Sequence, residues 1–152
     1  MKLKNKILIF FFIFIFGCGY QPIFSDKNIK FSIGQIDVNG NDKLNKALIK
    51  NLENYKNTSK GTKLYDLIIT TEYKKFISSK DTKGNPKTFR MEIINELKVL
   101  NNNELMIAKI FKETQNYDNK SGKFELKQYE ENTTKNLIKK ISENIIIFLQ
   151  TL

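Results

Sequence analysis

Tyr65-Asp66-Leu67-Ile68-Ile69-Thr70-Thr71-Glu72-Tyr73 and Phe89-Arg90-Met91-Glu92-Ile93-Ile94-Asn95-Glu96-Leu97-Lys98-Val99 are the stretches that decide the fold. In the first, Tyr65, Leu67, Ile69, Thr71 and Tyr73 alternate with Asp66, Thr70, Glu72 and Lys74, and Ile68 alone breaks the polar parity. In the second, Phe89, Met91, Ile93, Asn95, Leu97 and Val99 alternate with Arg90, Glu92, Glu96 and Lys98. A third run extends from Leu105 to about Tyr117, with Ile107, Lys109 and Phe111 on one parity. Period-two patterning over this length predicts half-buried antiparallel strands. Ser78 to Pro86 reads as a long polar hairpin loop, and Asn101-Asn102-Asn103-Glu104 as a tight turn. The middle of the chain is therefore a three-stranded meander.

Upstream, Lys30 to Asn39 carries Phe31 and Ile33 on one parity and Ile36 and Val38 on the other. A parity switch at Gly34-Gln35 predicts one strand with a β-bulge. Gly40-Asn41-Asp42 ends it and offers a helix cap. Leu44, Ala47, Leu48, Leu52 and Tyr55 then fall on one helical stripe, which predicts an amphipathic helix ending near Asn57. Downstream, Lys120-Ser121-Gly122 is a breaker. Leu126, Tyr129, Thr133, Leu137, Ile141, Ile145, Phe148 and Leu152 then step by three or four, predicting a helix of about 25 residues. A crossover through the first helix suits a first strand parallel to its neighbour. The expected fold is α+β: a two-layer sandwich of order β-α-β-β-β-α, its four-stranded mixed sheet covered by two helices on one face.

The N-terminus has a different logic. Lys2, Lys4 and Lys6 precede an apolar run from Ile7 to Phe16, and the chain's one cysteine, Cys18, follows behind Gly17. That run is too short to span a bilayer, which takes roughly 20 apolar residues, and has the layout of a cleaved export signal. A small residue followed by Cys at this point resembles the lipobox of bacterial lipoproteins, in which the thiol receives a diacylglycerol and the preceding peptide is removed. Residues 1–17 then form a signal peptide, 18–28 a lipidated tether and 29–152 a single domain. Taking 17 from 152 residues leaves 135, enough for one packed core.

Composition narrows the function classes. The formal charge is +10, and loss of Lys2, Lys4 and Lys6 leaves +7. Such a surface suits polyanions. Export argues against nucleic acid and leaves phospholipid headgroups, phosphorylated glycolipids and acidic proteins. Of 26 basic residues only Arg90 is arginine, so a compositional drift towards lysine is an equal explanation of the charge. With no histidine, the chain has no imidazole base or metal ligand. Acylation of Cys18 would remove thiol chemistry, no phosphate-binding glycine motif is present, and Glu130-Glu131 on a helix point about 100° apart. The expectation is a protein that is not an enzyme and uses no cofactor or metal.

Cys18-Gly19-Tyr20-Gln21-Pro22-Ile23-Phe24 resembles the opening of the lipopolysaccharide-assembly lipoprotein family LptE, especially its alphaproteobacterial branch. The order of segments fits the family along the whole chain: Leu44-Leu48-Leu52, then Tyr65-Asp66-Leu67, Thr88-Phe89-Arg90 and Tyr117 before the last helix. The family's Arg or Gln near the first helix is replaced by Lys43 and Asn45, and its turn glycine by Asn. The resemblance implies an acyl-anchored protein on the periplasmic face of the outer membrane. It would plug and assemble an LptD-like β-barrel and assist lipopolysaccharide transport to the cell surface. Gly19 after the cysteine is compatible with that location. Phosphates of lipopolysaccharide would meet Arg90, Lys87, Lys74 and Lys75, while Lys83, Gly84, Asn85 and Pro86 would meet the barrel. Two other readings stay open: an accessory lipoprotein of another envelope transporter or cell-wall complex, and an anionic-lipid surface binder without a protein partner. Mass spectrometry of the mature N-terminus should find a cleaved, acylated Cys18; an unmodified Cys18 or a retained Met1 would refute the anchor.

Overall fold

The computed structural model describes residues 29–58 and 61–152. The signal peptide and tether expected over 1–28, Cys18 included, lie outside the described residues. The elements are β1 (Phe31–Gly40), α1 (Asp42–Leu52), β2 (Lys63–Lys80), β3 (Pro86–Asn101), β4 (Glu104–Asp118) and α2 (Lys123–Thr151). One sheet has the order β1-β2-β3-β4, with β1 parallel to β2 and the other pairs antiparallel. This is the expected α+β sandwich.

The bulge in β1 is where the parity switch places it, between Ile33 and Ile36. It returns Ile36 and Val38 to the face already occupied by Phe31 and Ile33, so all four pack on one core. Gly34 leaves room for a side-chain contact there: the Gln35 N–H donates to Asp66 Oδ1 at 2.7 Å, and a Cβ at position 34 would sit 2.5 Å from that oxygen and displace it. At the strand's end Gly40 adopts φ +91°, and a Cβ would lie 2.2 Å from the Thr71 carbonyl oxygen. Asn41 then caps α1, its Oδ1 accepting from the Leu44 N–H at 3.1 Å. The helix continues as a 3-10 turn over Glu53–Tyr55.

On β2 and β3 the odd-numbered side chains form the core: Tyr65, Leu67 and Ile69 beside Met91, Ile93, Leu97 and Val99 are all buried. Leu44, Leu48 and Leu52 of α1 and Leu137, Ile138, Ile141, Ile145 and Leu149 of α2 cover them. The helices are joined by Asn51, whose side-chain amide donates to Ser142 Oγ at 3.1 Å. The other sheet face carries no helix among the described residues and is laced by ion pairs Lys74–Glu72 (2.8 Å), Lys112–Glu92 (2.8 Å) and Lys98–Glu96 (3.5 Å).

Two boundaries differ from expectation. The hairpin ladder runs on to Lys80 paired with Pro86, so the connection is a five-residue turn over 81–85 and not a long loop. Beyond the reach of the helices both faces of the ribbon meet water, so polar Ser78 and Ser79 are tolerated within a strand. Hydrophobic alternation reports burial, not pairing. Likewise α2 has 29 residues: it begins at Lys123, ahead of Leu126, because exposed Phe124 lies off the stripe that packs on the core and so does not mark the start. The β3–β4 connection is the tight turn, with Asn102 at φ 50° and Asn103 at φ 65°, the left-handed pair of a type I′ hairpin. Leu97→Ala should lower unfolding free energy by about 2–5 kcal/mol in urea titrations. Lys98→Ala, one residue along on the uncovered face, should stay within about 0.5 kcal/mol.

Candidate functional site

Because β2 and β3 outrun the helices, their shared hairpin projects from one end of the sandwich. Residues 74–90 carry six basic side chains against one acidic, Asp81. Phe76 and Ile77 lie on opposite faces of this ribbon, and each is about half exposed (48% and 49%). Phe124, in the first turn of α2, is 77% exposed at the same end, where the Asn119 N–H donates to the Lys87 carbonyl at 2.8 Å. The site is thus basic and apolar together, a combination suited to an amphiphile with anionic groups.

The four basic residues singled out by sequence divide between two faces. Arg90 and Lys74 stand on the uncovered face as diagonal neighbours, through the pairs Phe76–Arg90 and Lys74–Glu92. Lys74 pairs with Glu72, whereas Arg90 Nε donates to Asn116 Oδ1 at 3.0 Å and leaves the rest of its guanidinium fork open. Lys75 points to the helix side, where it pairs with Glu130 at 2.5 Å and lies 4.5 Å from the Phe89 ring centroid. Lys87 is exposed, and among the described residues neither it nor Arg90 has a carboxylate partner. Arg90 and Lys87 are therefore the cations best placed to receive an anion, and Lys75 is the one most committed within the fold.

The tip residues Lys83, Gly84, Asn85 and Pro86 are organised by Asp81. Its carboxylate accepts from the Lys83 and Asn85 N–H groups, both at 2.8 Å, and from the Asn85 side-chain amide at 3.2 Å. Gly84 takes φ +84° with open space where a side chain would project. The Asn85 backbone N–H, its side-chain amide and the neighbouring backbone donors hold the Asp81 carboxyl below the usual aspartate range. A prearranged, solvated tip results.

Sequence periodicity missed an aromatic column behind the ribbon. Phe89, Tyr117 and Tyr129 follow one another at centroid separations of 5.6 and 5.5 Å. Lys75 lies over one end of the column and Lys120 over the other, 5.2 Å from the Tyr129 ring. Glu130 anchors it, accepting from the Tyr117 hydroxyl at 2.7 Å as well as from Lys75. Burial, then the Glu130 carboxylate, push both the Tyr117 and the Tyr73 phenols up, so both stay protonated. The column depends on Phe89 facing Tyr117 across β3 and β4, a register that no single segment encodes.

Between α1 and α2 runs a groove of about 580 Å³ with Leu44, Ala47, Tyr73 and Ile138 among its lining residues. The Lys43–Glu131 ion pair (3.5 Å) joins the two helices beside it. Among the described residues no three His, Cys, Asp or Glu side chains converge as metal ligands. No described helix is long and apolar enough to cross a membrane.

No family model and no curated protein matches the chain. Solved structures do. The crystal structure of rare lipoprotein B from Shewanella oneidensis superposes with TM-score 0.62 at 13% identity, covering 79% of this chain and 95% of that one. The solution structure of lipoprotein B from Nitrosomonas europaea gives 0.60 at 15% identity, covering 78% and 81%. A minor lipoprotein from Acinetobacter baumannii gives 0.58 at 12% identity, covering 82% and 94%. At such identity the likeness establishes a shared fold, and each of these neighbours is a lipoprotein.

The tip predicts a pH response. A carboxyl titrating below the ordinary value of about 3.9 stabilises the turn fully above that value, and its contribution is lost as pH falls through the lower folded value. Amide exchange at Lys83 and Asn85 should therefore accelerate in that acid window, and D81N should abolish the transition.

Proposed function

We propose that this protein is an acyl-anchored lipoprotein of the periplasmic face of the outer membrane. It plugs and assembles an LptD-like β-barrel and assists passage of lipopolysaccharide to the cell surface. The observation that carries the reading is the fold shared with bacterial lipoproteins over about four fifths of the chain. The charge–apolar–Gly-Cys18 order at the N-terminus and the projecting basic hairpin support it.

The physical roles follow from the site. Acyl chains on Cys18 hold the protein at the membrane, each buried methylene contributing about 0.8 kcal/mol, so that two or more chains bind durably. The tip 81–85, stiffened by Asp81, enters the barrel lumen first. Arg90 and Lys87 offer uncompensated donors to phosphates of the glycolipid, and Phe76, Ile77 and Phe124 offer apolar contact beside them. The protein's work is positioning and recognition, with no bond made or broken.

Co-purification after mild detergent extraction tests this. A stoichiometric large β-barrel is expected. A periplasmic or inner-membrane assembly in its place would replace the reading with an accessory role in another envelope complex, and recovery of the protein alone would leave an anionic-lipid surface binder. On the same protein, the K87E/R90E double variant should bind lipopolysaccharide roughly tenfold more weakly. Unchanged binding at low and moderate salt would remove these two residues from the account.

A further inference from the structure

The end of the sheet opposite the hairpin exposes an apolar corner. Leu64 (57% exposed), Leu105 (60%) and Met106 (50%) stand there around half-buried Leu100. Their grouping follows from register. Leu105 pairs with Leu100, which pairs across β3 with Asp66, two residues along β2 from Leu64. A register shift between Val99 and Leu100 inserts Met106 as the unpaired residue of β4, so Leu105 and Met106 crowd the same corner of the uncovered face. Asn102 and Asn103 of the type I′ turn border it, uncharged.

The described chain begins at this same end. Phe31 pairs with Lys63, next to Leu64, and Ile29 already packs on the core. Cys18 precedes Ile29 by eleven residues, which span at most about 38 Å when extended. The corner lies within three strand spacings of β1, about 14 Å. Lys30 and Lys63 are exposed beside the exit point, and Lys63 Nζ also donates to the Leu152 carbonyl at the end of α2.

We infer that Leu64, Leu105 and Met106 form a membrane-contacting corner that seats the domain on the phospholipid surface to which Cys18 is acylated, with the hairpin directed away from it. The inference rests on the acylation of Cys18 and names the occupant of this face in the lipoprotein before any barrel is engaged. A short tether makes the second contact effectively intramolecular, so three apolar side chains suffice where they would not recruit a free protein. The basic pair Lys30 and Lys63 favours anionic headgroups at the rim.

The test uses the full acylated lipoprotein alone in vesicles of phosphatidylethanolamine and phosphatidylglycerol. With Cys18 acylated, an introduced cysteine is the only free thiol, and a fluorophore is placed in separate variants at M106C and at G84C in the hairpin tip. Iodide quenching at position 106 should be roughly threefold lower than at position 84, and a bromolipid should quench position 106 only. In an L64D/L105D background the shielding at position 106 should disappear while membrane attachment persists. Equal iodide access at both positions, or shielding at 106 without bromolipid quenching, overturns the proposal and leaves the anchor intact. Mass spectrometry of Cys18 on the same sample separates those results from a missing anchor, which would overturn both readings.

Discussion

The register between β2 and β3 is the constraint on which the rest of the structure depends. Pairing of Asp66 with Leu100 through Phe76 with Arg90 sends every odd side chain of both strands to one side. A one-residue slip would turn Tyr65, Leu67 and Ile69 to water and bring Asp66 and Glu72 beneath the helices. The core contains a device against such a slip. Asn95 and Thr71 are directly opposed and buried, and the Asn95 side-chain amide donates to Thr71 Oγ1 at 2.5 Å. After such a slip of β2, Asn95 would stay buried without Thr71, a cost of about 1–3 kcal/mol for the unpaired group. Thr71 also holds the end of β1 through its carbonyl, which accepts from the Asn41 N–H at 3.0 Å, so the parallel strand and the start of α1 are referred to the same position.

Much of this was legible in the sequence because burial was its cause. Alternation located the three long strands, the parity switch at Gly34 located the bulge, and Asn41 marked the start of α1. What alternation could not carry is whatever lies outside the core or across strands. Ser78 to Lys80 pair while solvated on both sides and so read as loop. Lys74 and Lys75 are adjacent in a strand and must face opposite ways, a signal present in the sequence that divides the basic cluster into two. The Phe89–Tyr117–Tyr129 column joins three elements and appears only once β3 and β4 are aligned. Leu105 and Met106 continue an apolar pattern into a strand end that no helix covers, so apolar character there does not mean burial.

The distribution of charge and apolar surface then becomes coherent. In the middle of the uncovered sheet face Lys and Glu neutralise one another in exposed pairs, each worth little to stability but keeping that face wet and unattractive to other chains. Exposed apolar side chains stand at both ends, Phe76, Ile77 and Phe124 by the hairpin and Leu64, Leu105 and Met106 where the described chain begins, with Ile110 exposed between them on β4. At the hairpin, Arg90 and Lys87 add positive charge with no carboxylate partner among the described residues.

The length of β2 has a consequence in dimensions. Its 18 residues, at about 3.3 Å each, make a strand of some 55 Å from Lys63 to Lys80. The apolar band of an outer-membrane barrel is about 25 Å tall. β2 is about twice as long as that band, and its pairing with β3 continues through register shifts around Ser79 to Lys80, so one strand joins the hairpin tip to the end of the sheet where the described chain begins.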